Sequence, residues 1–191
     1  MNKKDVITFF DRIAPMWDDE QIRNEEVIEI ILDKGGITEN KHILDVACGT
    51  GVLFPDYIKR KTSVTGIDIS SEMVKIARDK FPQTNVICGD AETYKFDSEF
   101  DAVMIYNAFP HFDNPEGLIE NLCSCIKAGG RLSVAHGISA AELEECHSGA
   151  ASEISRKLPE CDELACLLKP LFDVDVMISD DRMYMVSGLK R

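Results

Sequence analysis

The run HILDVACGTG (His42–Gly51) constrains this chain more than any other stretch. Its continuous apolar character suits a strand covered on both faces, and Gly49-x-Gly51 demands a tight turn at its end. A helical stretch to about Lys59 follows. The same unit recurs. SVTGIDIS (Ser63–Ser70), TNVICGDA (Thr84–Ala91), FDAVMIYNAF (Phe100–Phe109) and RLSVAHG (Arg131–Gly137) read as further strands. Ser70 or Ser71 can cap a helix carrying Met73, Ile76, Ala77 and Lys80/Phe81 on one face. Asn114-Pro115 begin another, closing at Gly129-Gly130. Strands alternating with helices imply right-handed crossovers and a parallel sheet covered on both sides.

The ends of the chain follow other rules. Val6, Phe9, Phe10 and Ile13 make an amphipathic helix that Pro15 stops, and a second helix spans about Ile22 to Asp33. Ser139 and Glu142 have capping-box spacing for a helix near 140–157, and Leu164, Leu167, Leu168 and Leu171 mark one more. DVDVMIS and RMYMVSGLK are joined too closely to be parallel, so they form an antiparallel hairpin on one edge. The expected fold is α/β: a single doubly wound, mostly parallel seven-stranded sheet with that C-terminal edge hairpin.

Composition narrows the function. The 191 residues suit one domain, and 34 acidic against 21 basic side chains give a net charge of −13. That balance argues against unspecific nucleic-acid binding, which needs Lys and Arg to pair phosphates. No apolar run approaches the ~20 residues of a membrane span. MNKKDVITFFDR breaks at Asp5 and Asp11 before a signal-peptide core develops. Seven cysteines, an odd count, fit free thiols in a reducing cytoplasm. The expectation is a cytoplasmic monomer or homodimer with no nucleic-acid or membrane partner.

Asp45, Asp68 and Asp90 stand at or near the ends of three successive strands, 23 and 22 residues apart. In an open α/β sheet, ligands bind outside the carboxyl ends of the strands, where the strand order reverses. The dinucleotide fingerprint fails here, because Val52-Leu53-Phe54 follow Gly51 and no third glycine comes. Asp68, 19 residues after Gly49, is placed to accept from both hydroxyls of a ribose. Asp45 could attract a cationic group, and no cluster of basic side chains awaits a triphosphate. Adenosine joined to a cationic amino acid, S-adenosylmethionine, matches that set. Taken alone, Asp68 reads as a solvated strand-end carboxylate; the complete set turns the reading to the cofactor.

ILDVACGTG, GIDIS, GDAE and KAGGRLSVAHG, in that order, closely resemble class I S-adenosylmethionine-dependent methyltransferases of Rossmann-like fold. The opening FFDRIAPMWDD is similar to the F/Y-D-x-x-A-x-x-Y/W-D start of the ubiquinone/menaquinone-biosynthesis-like group of small-molecule methyltransferases. The resemblance implies methyl transfer to a small-molecule acceptor, with S-adenosylhomocysteine as product. It implies that Ala47, Cys48, Gly49 and Gly51 surround the methionine part, with Asp45 behind them. Asp68 would hold the ribose, Ile69 and Met73 would face the adenine, and Asp90 and Ala91 would recognise its edge. Asn107 would border the methyl. Residues 1–35 would form a helical lid, 36–137 the cofactor-binding core, 138–160 a helical insertion and 161–191 the last helix and edge strands.

An acceptor that arrives protonated needs a base. His111 and His136 are the candidates, both expected on the crevice rim, with His147 further out. Phe10, Trp17, Phe112 and His147 are the substrate or lid candidates. Asn107-Ala108-Phe109-Pro110 departs from the N/D-P-P-Y/F loop of nucleic-acid amino methyltransferases at its second position and at the aromatic. The cysteines and histidines of 136–166 lack the paired C-x-x-C spacing of structural zinc sites, so no metal is expected. The rival reading is a methyltransferase-like module that holds a nucleoside or a partner without catalysis.

Overall fold

The structure is a computed structural model that describes residues 2–20, 23–97, 99–146 and 154–191. Seven strands form one sheet in the order β3-β2-β1-β4-β5-β7-β6. They are β1 (His42–Val46), β2 (Ser63–Asp68), β3 (Asn85–Cys88), β4 (Phe100–Tyr106), β5 (Ile126–His136), β6 (Phe172–Ser179) and β7 (Tyr184–Lys190). The first five pair in parallel. β7 lies antiparallel between β5 and β6, which makes the expected edge hairpin. The order runs outward from β1 in both directions, so a crevice opens between the carboxyl ends of β1 and β4.

The helices are α1 (Lys3–Ile13), α2 (Trp17–Glu20), α3 (Glu25–Lys34), α4 (Phe54–Lys59), α5 (Ser71–Lys80), α6 (Pro115–Cys125), α7 (Ala140–Cys146) and α8 (Cys161–Leu168). Alternation within the central strands feeds two cores. From β4, Ala102 and Met104 join the cluster under α3, α4 and α5, which includes Ile31, Phe54 and Val74. Val103 and Ile105 join the opposite cluster under α6 and α8, with Leu122 and Leu164. Both faces of the strand are therefore dry over Ala102–Ile105, as that apolar run requires.

Three boundaries differ from the sequence reading. The second helix begins at Glu25, where the Asn24 side chain accepts from the Val27 N–H; a 3-10 turn (Ala14–Met16) and α2 follow α1, and the expected start at Ile22 lies outside the described residues. Helix α6 closes at Cys125 and not at Gly129-Gly130. Ile126 turns extended and is wholly buried opposite Phe100, and the register with β4 then shifts until Arg131 meets Ala102. Gly129, at φ +70°, serves that excursion within β5. The helix expected near 140–157 appears as α7, and residues 155–157 are not helical; its Ser139–Glu142 capping box is present, with the Glu142 carboxylate accepting from both Ser139 N–H and Oγ–H. His147 lies outside the described residues.

Candidate active site

The crevice is built from the segments that leave the first four strands. After β1, Ala47 and Gly49 both take positive φ (55° and 54°), and the Cys48 N–H reaches across to the Ile67 carbonyl of β2 at 3.1 Å. That close approach needs Gly66, where a Cβ would stand 2.8 Å from both Cys48 Sγ and Phe54 Cζ. The turn is thus pressed against the end of β2, and Asp68 seals it. Gly49 N–H donates to Asp68 Oδ2 and Ser70 N–H to Oδ1, each at 2.8 Å.

Burial dominates the electrostatics. Asp68 is 8% exposed, and desolvation pushes its carboxyl up to about 6 although Ser70, Gly49 and Ile69 N–H groups favour the anion. Burial, then the neighbouring Asp68 charge, holds Asp45 well above the usual carboxylate range. Burial, then the charges of Asp68 and Asp45, raises the Cys48 thiol, which stays protonated and unreactive at neutral pH. Tyr106, beside Asn107 at the end of β4, is pushed up to about 12 by burial.

One cavity collects nearly every predicted cofactor residue: Asp45, Ala47, Cys48, Gly49, Asp68, Ile69, Met73, Asp90, Ala91 and Asn107 line it. Gly51 does not. It lines an adjoining groove, and its φ of +84° and the 2.7 Å approach of a Cβ to Phe54 show what it supplies: a turn and close packing. Asn107 adopts φ +54°, and its Oδ1 accepts from the Gly137 N–H at 2.9 Å, which pins the β4 end to the β5 end.

The opening segment lies over the cavity, with Phe10 and Trp17 in its wall. Phe10 stands edge-on to Trp17 (5.8 Å between centroids) and to His111 (5.0 Å). Polar tethers fix it to each loop. Lys3 donates to Asp90 Oδ2 at 2.6 Å and pairs with Glu92. Asp11 accepts from Ser70 Oγ at 2.6 Å, and Asp18 accepts from Thr50 Oγ1 at 2.5 Å and from Lys80.

The two histidines part company. His111 lines the cavity, as does Phe112. His136 corrects the expectation of a rim residue: it is 0% exposed and absent from the lining, with its ring edge-on to Tyr184 at 6.0 Å. It ends a strand over the crevice, but alternation along β5 puts it on the face of Leu132 and Val134, opposite Tyr184 of β7, where it is buried. The sequence reading missed Lys3, Glu92, Val52, Leu53 and Tyr106. Glu92 lies in the GDAE motif and Tyr106 adjoins Asn107, so both had a local signal; Lys3 meets Asp90 from 87 positions away and had none. Among the described residues no group of His, Cys, Asp or Glu side chains is arranged to hold a metal ion, and no helix is long and apolar enough to cross a membrane.

A doubly wound sheet with acids at or just beyond the ends of its first three strands around one crevice, and a glycine turn beside it, defines an α/β protein with its ligand site at the switch point of the sheet. The family model described as a methyltransferase domain matches residues 43–130. The chain is 29% identical over 140 residues to a demethylmenaquinone methyltransferase of Renibacterium salmoninarum, a match covering 69% of this chain and 58% of the relative. It is 33% identical over 99 residues to a ubiquinone biosynthesis O-methyltransferase of Coxiella burnetii, covering 49% and 42%. The chain therefore spans about half the length of these curated relatives. A SAM-dependent methyltransferase from Aquifex aeolicus shares the fold at TM-score 0.68 and 22% identity, over 86% of this chain and 89% of that one. So does a Synechocystis magnesium protoporphyrin IX methyltransferase with bound S-adenosylhomocysteine, at TM-score 0.71 and 17% identity over 100% of both. Residues 43–130 thus match a methyltransferase domain, and the fold is the one that S-adenosylmethionine-dependent methyltransferases share.

Proposed function

We propose that the chain transfers a methyl group from S-adenosylmethionine to a small-molecule acceptor in the cytoplasm. The observation that carries this reading is the Asp68 carboxylate, buried at the cavity wall with one oxygen on Gly49 N–H and the other on Ser70 N–H. The residues fit the cofactor. Asp68 would accept from the ribose hydroxyls, and Asp90 with Ala91 would meet the adenine edge. Ile69 and Met73 would lie against its faces. Ala47, Cys48 and Gly49 would border the methionine portion, with the Asp45 acid behind them. The bound group supplies a methyl on a cationic sulfur.

The chain's own residues then have three tasks. Asn107, held rigid by Gly137 N–H, borders the reacting end. The aromatic wall of Phe10, Trp17 and Phe112 excludes water, and orientation inside a dry site can contribute roughly 7–11 kcal/mol in favourable cases. His111, the histidine in the lining, is the base for an acceptor that arrives protonated. Residues 1–35 act as the lid, with 138–160 beside it. The relatives' names, both small-molecule quinone-biosynthesis enzymes, support a small acceptor.

Calorimetric titration with S-adenosylhomocysteine tests the reading. Micromolar binding that Asp68→Ala abolishes without unfolding the domain is the expected result. No binding to the folded protein, or tight binding to folded Asp68→Ala, would make the strand-end acids mere scaffold.

A further inference from the structure

Tyr57 is a phenol buried in the core. It stands in α4, wholly buried in the cluster of Ile43, Phe54 and Met104, and its hydroxyl has no hydrogen-bond partner among the described residues. A buried hydroxyl left unpaired is costly, so the space it faces should hold a partner. Asp45 shares that side of the sheet. Side chains alternate along β1, which turns Asp45 the same way as Ile43, and its neighbour across the ladder is Met104 of the same cluster. After burial, the Asp45 charge is the strongest influence raising the phenol, ahead of Asp56, Cys48 and Tyr106. Those three are already engaged. Asp56 accepts from the Arg23 guanidinium at 3.0 and 3.2 Å, the Cys48 thiol donates to the Gly49 carbonyl at 3.8 Å, and the Tyr106 hydroxyl meets the Asn107 side chain. Asp45 is not. It is 2% exposed, and burial and then the Asp68 charge act on its carboxyl with no donor among the described residues to relieve it.

The two groups are complementary without being bonded to each other. A phenol donates one proton and a carboxylate only accepts, so a water between them accepts from the first and donates to the second. Buried waters are held by two or more such polar partners. We infer that one buried water bridges the Tyr57 hydroxyl to the Asp45 carboxyl, and that Tyr57 is thereby a positioning residue for the amino-acid end of the cofactor. This rests on the methyl-transfer reading above, in which Asp45 lies behind the methionine portion. Asp45 lines the cavity and Tyr57 does not, so the phenol touches no ligand and acts only through the acid. The bridge fixes one carboxyl oxygen on the α4 side and leaves the other for a cationic group in the cavity.

Calorimetry on the full chain compares S-adenosylhomocysteine with methylthioadenosine, which keeps the nucleoside and lacks the amino-acid end. Tyr57→Phe should weaken S-adenosylhomocysteine binding about tenfold and leave methylthioadenosine within about twofold of the wild type. In an Asp45→Asn background Tyr57→Phe should add almost nothing, because its effect is relayed through the acid. Equal losses for the two ligands, no loss for either, or additive losses in the double variant overturn the positioning role. Urea unfolding reads the hydroxyl itself. Losing a bridged hydrogen bond lowers the midpoint, whereas removing an unpaired hydroxyl raises it, so a Tyr57→Phe midpoint at or above that of the wild type overturns the water. Crystals of the wild type, with and without S-adenosylhomocysteine, test the bridge without any variant: one water should lie within hydrogen-bonding distance of both Tyr57 Oη and an Asp45 oxygen, and its absence overturns the inference. Failure of both nucleosides to bind the folded wild type would instead strike the methyl-transfer reading.

Discussion

Asp68 should give cofactor affinity and fold stability opposite dependences on pH. Burial lifts its carboxyl from 3.8 to about 6 in the cofactor-free protein. Two ribose hydroxyls need the anion as acceptor, so the protonated fraction does not bind. That fraction is roughly one tenth at pH 7 and nine tenths at pH 5, so affinity should fall about tenfold, or ~1.4 kcal/mol, across the window. Stability runs the other way. A carboxyl whose folded pKa lies above its unfolded value stabilises the fold fully below the unfolded value and loses that contribution as pH rises through the folded one. Asp68 should therefore make the cofactor-free protein about 1.3 kcal/mol more stable at pH 5 than at pH 7. Calorimetry with S-adenosylhomocysteine and urea unfolding at both pH values measure the two effects. Asp68→Asn, neutral throughout, should lack this share of the stability change. A pH-independent affinity between 5 and 7, or a wild-type stability slope identical to that of Asp68→Asn, would refute the reasoning.

Other outcomes follow from single contacts. Lys3→Met frees the Asp90 carboxylate from the ammonium 2.6 Å away, so it should tighten S-adenosylhomocysteine binding by up to about fivefold, the worth of a partly exposed ion pair; weaker binding counts against the competition. Gly51→Ala forces a Cβ to within 2.7 Å of Phe54 at φ +84°, and should cost about 2–4 kcal/mol in urea unfolding. His136→Ala removes a fully buried ring packed on Tyr184, so it should cost on the order of 3 kcal/mol of stability while S-adenosylhomocysteine affinity stays near that of the wild type. His111→Gln should leave that affinity intact and lower turnover roughly 10²- to 10⁴-fold with an acceptor that must lose a proton.

Much of this protein is written locally. The alternation of apolar runs with capped helices determines the parallel sheet, because a strand covered on both faces and a helix with one apolar stripe have few ways to pack. Strand-end acids, the glycine turn and Asn107 were readable for the same reason: each stands at or just beyond the carboxyl end of a strand, and the sheet brings all such positions to one edge. Reading stopped where side-chain direction or long-range pairing decides. β7, entering antiparallel beside β5, brings Tyr184 opposite His136 and covers its ring, though its sequence position suggested the rim. Gly51, two residues beyond Gly49, packs on Phe54 and leaves the cavity. Lys3 reaches Asp90 across 87 residues, and Arg156 returns to Asp113 across 43. The sequence by itself determined which loops make the crevice. Only the tertiary structure decided which side chains face it and what holds them, because those contacts depend on elements far apart in the chain that meet when both faces of the sheet are covered.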